Sequence, residues 1–66
     1  MELIINGKSE QVPEGMNAAQ LIDHLGLTHE RLAMEVNREI VPRSSFQSHV
    51  LNAGDRIEIV RAIGGG

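Results

Sequence analysis

Hydrophobic residues fall into strand-like runs at both ends of the chain, with one helical stripe between them. Leu3-Ile4-Ile5 is apolar and is followed at once by Asn6-Gly7, the pair that best accepts the positive φ angles of a type I′ turn. The pattern therefore predicts a first hairpin that returns through Lys8–Val12. Near the other end, Arg56–Arg61 alternates polar and apolar residues, as a half-buried strand does.

One amphipathic helix is predicted over Ala18–Leu25. Its apolar stripe has the spacing i, i+3, i+4 and i+7 and consists of Ala18, Leu21, Ile22 and Leu25. Asn17 is a good N-cap, and Gln20 stands where a capping box requires it. Gly26 is expected to close the helix in the left-handed conformation, with Leu27 folding back on Ile22.

The second half of the chain predicts a short hairpin and the last strand. Leu32–Val36 has the composition of a third strand, and Asn37-Arg38-Glu39 forms a tight turn into a fourth strand, Ile40–Val41. Pro42 cannot donate to a ladder, so the fourth strand should be short and either lie at a sheet edge or end at the proline. Phe46 is expected to enter the core from a loop. Further core positions are predicted at Leu51, Ile57, Ile59 and Val60.

This order of elements favours an α+β fold of the β-grasp (ubiquitin-like) kind, a roll in which a mixed sheet packs on one main helix. A chain of 66 residues is expected to form one domain, residues 1–66, with a flexible glycine tail over residues 62–66. A central position for the last strand would hold the base of the tail and leave Gly64, Gly65 and Gly66 free.

Composition narrows the possible partners. The chain has no cysteine, so disulfides and thiolate metal sites are excluded, and Phe46 is its only aromatic residue. Its formal net charge of −3 and the absence of a basic cluster argue against nucleic acid as a partner. No apolar stretch has the length of a membrane span. We expect a soluble cytoplasmic protein that is a monomer when free.

The sequence contains no convincing catalytic constellation. His24 and His29 are five positions apart across a helix stop, which does not give the spacing of a metal-binding pair on one helix face. The carboxylates are scattered, so none is paired for acid and base catalysis. Gly7-Lys8-Ser9 resembles the end of a phosphate-binding loop, but Glu2 stands where that loop needs a glycine. We expect no enzyme activity, no metal and no bound cofactor.

Charged residues near the last strand are candidates for contact with a partner. Asp55, Glu58 and Arg61 lie on or beside that strand and would be able to steer an encounter with an activating enzyme. The simpler interpretation is that they are ordinary outward residues of the strand.

The terminal segment is the feature that most needs a chemical explanation. After Arg61 the chain continues as Ala62-Ile63-Gly64-Gly65-Gly66. Glycine lacks Cβ, so such a tail can enter a narrow channel and present a carboxylate without steric shielding. A carboxylate is inert until it is activated, for example as an acyl-adenylate formed by a partner enzyme. Ile63 is apolar, and a partner would be able to bury it. The alternative is a flexible stub.

Three segments together resemble a known family. They are Ile5-Asn6-Gly7, the stretch from Val36 to Arg43, and the stretch from Leu51 to Val60. With the glycine ending, they resemble the ThiS family, the sulfur carriers of thiamine biosynthesis. The likeness covers the whole chain. It implies a β-grasp carrier whose terminal glycine, here Gly66, is adenylated with ATP by a ThiF-type adenylyltransferase and converted to a thiocarboxylate.

The resemblance also implies a second partner and leaves alternatives open. The sulfur would pass to a ThiG-type thiazole synthase to build the thiazole of thiamine, with Gly65 giving steric access and Gly64 extending the tail. Carriers of molybdopterin synthesis are similar in fold and ending, although usually longer. A ubiquitin-like protein modifier is a further alternative, although Lys8 is the only lysine available for self-linked polymers. A regulatory β-grasp module would not need a free glycine end.

Overall fold

Within the part of the chain that the structure describes, five strands form one mixed sheet, and a single α-helix contributes to the same hydrophobic core. The computed structural model describes residues 1–61. The predicted flexible tail, residues 62–66, lies outside the described residues. The elements are β1 Glu2–Ile5, β2 Lys8–Gln11, α1 Ala18–His24, β3 Leu32–Val36, β4 Glu39–Val41 and β5 Arg56–Arg61, with a 3₁₀ turn at Arg43–Ser45 before β5.

The last strand occupies the centre of the sheet, as the β-grasp prediction requires. The strand order is β2-β1-β5-β3-β4, with β5 parallel to β1 and antiparallel to β3. The parallel pairs are Ile4 with Arg56 and Ile5 with Ile57. Because β5 is hydrogen-bonded to β1 on one side and to β3 on the other, these two strands fix the position at which the chain leaves the sheet.

The first hairpin forms through the predicted turn. Asn6 and Gly7 have φ angles of 49° and 82°, the two positive values of a type I′ turn. The antiparallel ladder runs from Ile5 and Lys8 to Glu2 and Gln11. The prediction extended the second strand one residue too far. The strand ends at Gln11, although the backbones of Met1 and Val12 still exchange hydrogen bonds and the side chain of Val12 is buried.

The helix begins and ends through the predicted capping groups. The side chains of Asn17 and Gln20 exchange hydrogen bonds with each other's backbone N–H groups at 2.8 Å, which completes the capping box. The helix ends at His24, one residue before the predicted end. Gly26 has a φ of 74°, and Leu27 donates to the carbonyl oxygen of Ile22 at 2.9 Å. These are the features of a Schellman C-cap.

Within residues 1–61, the buried residues come from the helix, from every strand except β2, and from the connections between them. Those with almost no exposed surface are Leu3, Ala18, Leu21, Met34, Leu51 and Ile57. Phe46 is also buried, as predicted. The prediction that Val60 belongs to the core was wrong, because Val60 is 64% exposed. Side chains alternate along a strand, and Ile57 and Ile59 already take the core face of β5, so Val60 faces outward.

The fourth strand lies at the sheet edge, as the proline predicted. β4 begins at Glu39, one residue earlier than expected, and ends at Val41 directly before Pro42. Its turn from β3 uses Asn37 and Arg38, both in the left-handed region with φ angles of 52° and 70°.

The helix found in residues 1–61 falls short of the length and apolarity that a membrane span needs.

Replacing Arg38 by glycine should stabilise the fold. A residue with a Cβ in the left-handed region is strained by roughly 1–2 kcal/mol, and glycine is not. Part of that gain is offset because glycine is freer in the unfolded chain, by roughly 0.5–1 kcal/mol. We expect Arg38→Gly to raise the free energy of unfolding by up to about 1 kcal/mol in urea denaturation. Arg38→Lys, which keeps the charge and the Cβ, is the control. A glycine variant less stable than the wild type would contradict the prediction.

Candidate functional site

The residues to which the sequence assigns the chemistry lie outside the described part of the chain. They are Ile63, Gly64, Gly65 and Gly66, and their roles stay predictions. The structure does describe the strand from which they continue, which ends at Arg61. The candidate site is therefore the end of β5 and the side chains around it.

The end of β5 projects beyond its parallel neighbour. The ladder with β1 stops at Ile5 and Ile57, whereas the antiparallel ladder with β3 continues to Leu32 and Arg61. Within the described sheet, β5 therefore pairs only with β3 from Glu58 onward. Its other side needs a different source of hydrogen bonds.

Asn6 supplies that source. Its backbone N–H donates to the carbonyl oxygen of Ile57 at 2.9 Å, and its side-chain Oδ1 accepts from the backbone N–H of Ile59 at 2.8 Å. The second bond is partly buried and joins residues 53 positions apart in sequence. The turn that reverses the first hairpin therefore also extends the bonding of β5 toward its end.

A surface groove of about 390 Å³ lies at the same place. Its apolar lining comes from buried or half-buried residues of β1, β5 and the end of the helix, namely Ile5, Ile59, Leu25 and Leu27. Exposed side chains of Lys8, Glu10 and Arg61 complete the lining with both signs of charge. The groove is thus beside the point at which the chain continues into the glycine segment.

An ion pair joins the end of β5 to the connection between α1 and β3. Nε of Arg61 lies 3.4 Å from Oε1 of Glu30, with side chains 59% and 44% exposed. The guanidinium of Arg43 donates to the backbone carbonyl oxygen of Glu30 at 3.3 Å. Because both carboxylate and guanidinium are well solvated, the pair contributes little stability and mainly brings these segments together.

The three charged residues named as possible partner contacts have different surroundings. The carboxylate of Asp55 accepts hydrogen bonds from the backbone N–H of Asn52 at 2.8 Å and from the side chain of Asn37 at 3.0 Å. Asp55 therefore builds a turn. Glu58 is exposed and faces Glu35 across the ladder, while Arg61 pairs with Glu30.

The histidines do not form a metal centre in the described structure. His24 and His29 are exposed, and His49 is half-buried. Across residues 1–61, no group of three or more histidine, aspartate or glutamate side chains is placed to hold a metal ion.

Comparison with known proteins matches this architecture to one family. The model of the ThiS family matches residues 2–66. The chain belongs to the ThiS family. The crystal structure of the thiamine biosynthesis protein ThiS from Geobacter metallireducens superposes with a TM-score of 0.87 and 30% identity, covering all of both chains. The sulfur carrier protein ThiS of Escherichia coli K12 is 29% identical over 66 residues, also covering both chains in full.

A longer relative contains a region of the same kind. The thiazole synthase of Paramagnetospirillum magneticum is 42% identical over 66 residues, which is all of this chain and 20% of that protein. The chain therefore spans about a fifth of the length of this ThiS-related protein. The β-grasp fold expected from the sequence is the fold of the ThiS structure.

Removing the ion pair at the end of β5 should change stability very little. Exposed pairs of this kind typically contribute about 0.2–1 kcal/mol. We expect Glu30→Gln to change the free energy of unfolding in urea by less than about 1 kcal/mol, with the difference shrinking in high salt. Glu14→Gln, which neutralises another exposed carboxylate, is the matched control. A loss of several kcal/mol specific to Glu30→Gln would show that the pair is a structural anchor.

Proposed function

We propose that this chain is a sulfur carrier protein of thiamine biosynthesis and that the carboxylate of Gly66 is the group that carries the sulfur. The observation that supports the proposal most strongly is the central position of β5, which leads into the glycine segment in a chain of the ThiS family. The carrier is not itself an enzyme in this proposal. It is a protein substrate on which two enzymes act in turn.

The first step is activation of the carboxylate. A carboxylate oxygen of Gly66 attacks the α-phosphorus of ATP, pyrophosphate leaves, and an acyl-adenylate forms. Sulfur at the oxidation level of sulfide (HS⁻) then attacks the acyl carbon, and AMP leaves with one of the former carboxylate oxygens. The product is a thiocarboxylate. ATP is bound by a ThiF-type adenylyltransferase, and the carrier holds no cofactor.

The second step is transfer of the sulfur to a ThiG-type thiazole synthase, which builds the thiazole moiety of thiamine. A protein named thiazole synthase contains a region 42% identical to this whole chain, which supports a functional link between carrier and synthase. We assign contact with both enzymes to Ile63, Gly64 and Gly65. The carrier works in the cytoplasm as a monomer when free, without nucleic acid or membrane.

A carrier of this kind needs a folded body and a reacting group that reaches away from it. Five residues follow Arg61, and an extended chain spans at most about 3.3–3.6 Å per residue, so Gly66 can lie up to roughly 17 Å from the end of β5. That distance is long enough for the terminus to enter an enzyme's active site while the folded body stays at its surface. Glycine at the last three positions keeps the inserted segment narrow.

Intact mass measurement tests the proposal directly. The chain is incubated with ATP, a sulfur donor and the ThiF-type enzyme of the same genome. We expect one carboxylate oxygen to be replaced by sulfur, and we expect tandem fragmentation to locate the change at Gly66. Deletion of Gly66 should reduce the replacement of oxygen by sulfur to background, because the shortened C-terminus would no longer reach the same position in the enzyme.

Other products would identify other functions. An isopeptide-linked adduct between Gly66 and lysines of other proteins would identify a modifier and contradict the carrier proposal. Lys8→Arg removes the only lysine of the chain and excludes self-linkage as a source of such adducts. Transfer of sulfur to a molybdopterin precursor, with none to the thiazole synthase, would contradict the thiamine assignment.

A further inference from the structure

Two asparagines bond to the backbone of β5 in a similar way, Asn37 at its first residue and Asn6 in its middle. Asn6 and Asn37 each occupy the first position of a two-residue hairpin turn, with φ angles of 49° and 52°. Each donates its backbone N–H to a carbonyl oxygen of β5 and accepts a backbone N–H of β5 on its side-chain Oδ1. Asn6 donates to the carbonyl oxygen of Ile57 and accepts from the N–H of Ile59. Asn37 donates to the carbonyl oxygen of Arg56 and accepts from the N–H of the same residue.

The two asparagines differ in their distance from the end of β5. Asn37 binds Arg56, the first residue of the strand, at 2.8 and 2.9 Å. Asn6 binds Ile59, two residues before the last residue of the strand, at 2.8 Å. Asn6 also lines the groove beside Arg61. A variant of Asn37 therefore serves as a control for a variant of Asn6, because both asparagines bond to β5 but at different distances from its end.

We propose that Asn6 is a positioning residue for the reaction at Gly66, because its side-chain oxygen sets the direction in which β5 presents the C-terminal segment to the adenylating enzyme. This inference rests on the proposed carrier function. Beyond Ile57 the β1 side of β5 has no strand partner within residues 1–61, so the bond from Ile59 to Asn6 restrains the strand on that side. Without that bond, the final residues of β5 are paired with β3 alone and take up a wider range of directions.

The side chain can be removed without disturbing the turn. Asn6→Gly keeps the backbone N–H that binds Ile57 and suits a positive φ, but it lacks Oδ1. Asn6→Asp keeps an oxygen that can accept the Ile59 proton and tolerates the left-handed region. Asn37→Gly removes the equivalent oxygen at the far end of β5.

The experiment measures ATP–pyrophosphate exchange by the ThiF-type enzyme at saturating ATP and varied concentration of each carrier variant. We expect Asn6→Gly to raise the KM for the carrier about three- to tenfold, the equilibrium change that corresponds to one typical hydrogen bond, with kcat nearly unchanged. Asn6→Asp should restore most of the affinity. Asn37→Gly should leave KM within about twofold of wild type, although it loses both the bond from the Arg56 amide and the bond that the Asn37 side chain donates to Asp55.

Amide hydrogen exchange on the free proteins tests whether each variant has lost its hydrogen bond to β5. The Ile59 amide should exchange faster in Asn6→Gly, and the Arg56 amide should exchange faster in Asn37→Gly. Equal KM values for the two glycine variants, or an Asn6→Gly variant with wild-type KM, would overturn the positioning role while leaving the carrier function intact. A wild-type chain that supports no exchange at all would refute the carrier function, and the positioning role with it.

Discussion

The structure depends on the pairing of β5 with strands from both halves of the chain. β1 binds it in parallel on one side and β3 binds it antiparallel on the other, while Ile57 and Ile59 enter the shared core. All of these contacts are distant in sequence, so the strand before the glycine segment is held only when the whole fold is formed. A protein that presents its end to an enzyme needs such a base, because a loose attachment would spread the reacting group over many directions.

The two hairpin turns also help to hold β5, in addition to reversing the chain. In a small domain that buries little apolar area, hydrogen bonds from turn residues matter more than they would in a large one. Asn6 and Asn37 accept the left-handed conformation and offer an amide oxygen at the same time. Glycine would satisfy the first requirement, and aspartate would offer the oxygen with an added negative charge.

Much of the fold follows from local sequence signals. Asn6-Gly7 predicted the first turn, Asn17 and Gln20 predicted the helix start, and Gly26 predicted its end, because each signal acts within a few residues. The alternation of Arg56–Arg61 predicted the last strand with the bounds observed. The core prediction for Val60 was wrong because Val60 follows Ile59 directly and so lies on the outward face of the strand.

Other features could not be predicted because they depend on pairing between distant segments. The bond from Ile59 to Asn6 spans 53 positions, and the groove arises only when β1, β5 and the helix end meet. The sequence predicts that the reacting group is at Gly66 but does not indicate which residue holds the strand before it. Asparagine at the first position of each hairpin turn is the sequence feature that marks these bonds, but the same residue is also a common turn former.

In the proposed function the chemistry belongs to one terminal carboxyl group, and the folded body presents it. The most direct test is to prepare the full chain with the Gly66 carboxyl converted to an amide and to incubate it with ATP, a sulfur donor and the adenylating enzyme. The account predicts no adenylation and no sulfur incorporation, because an amide does not supply the attacking carboxylate oxygen. Sulfur incorporation at the level of the unmodified chain would contradict it.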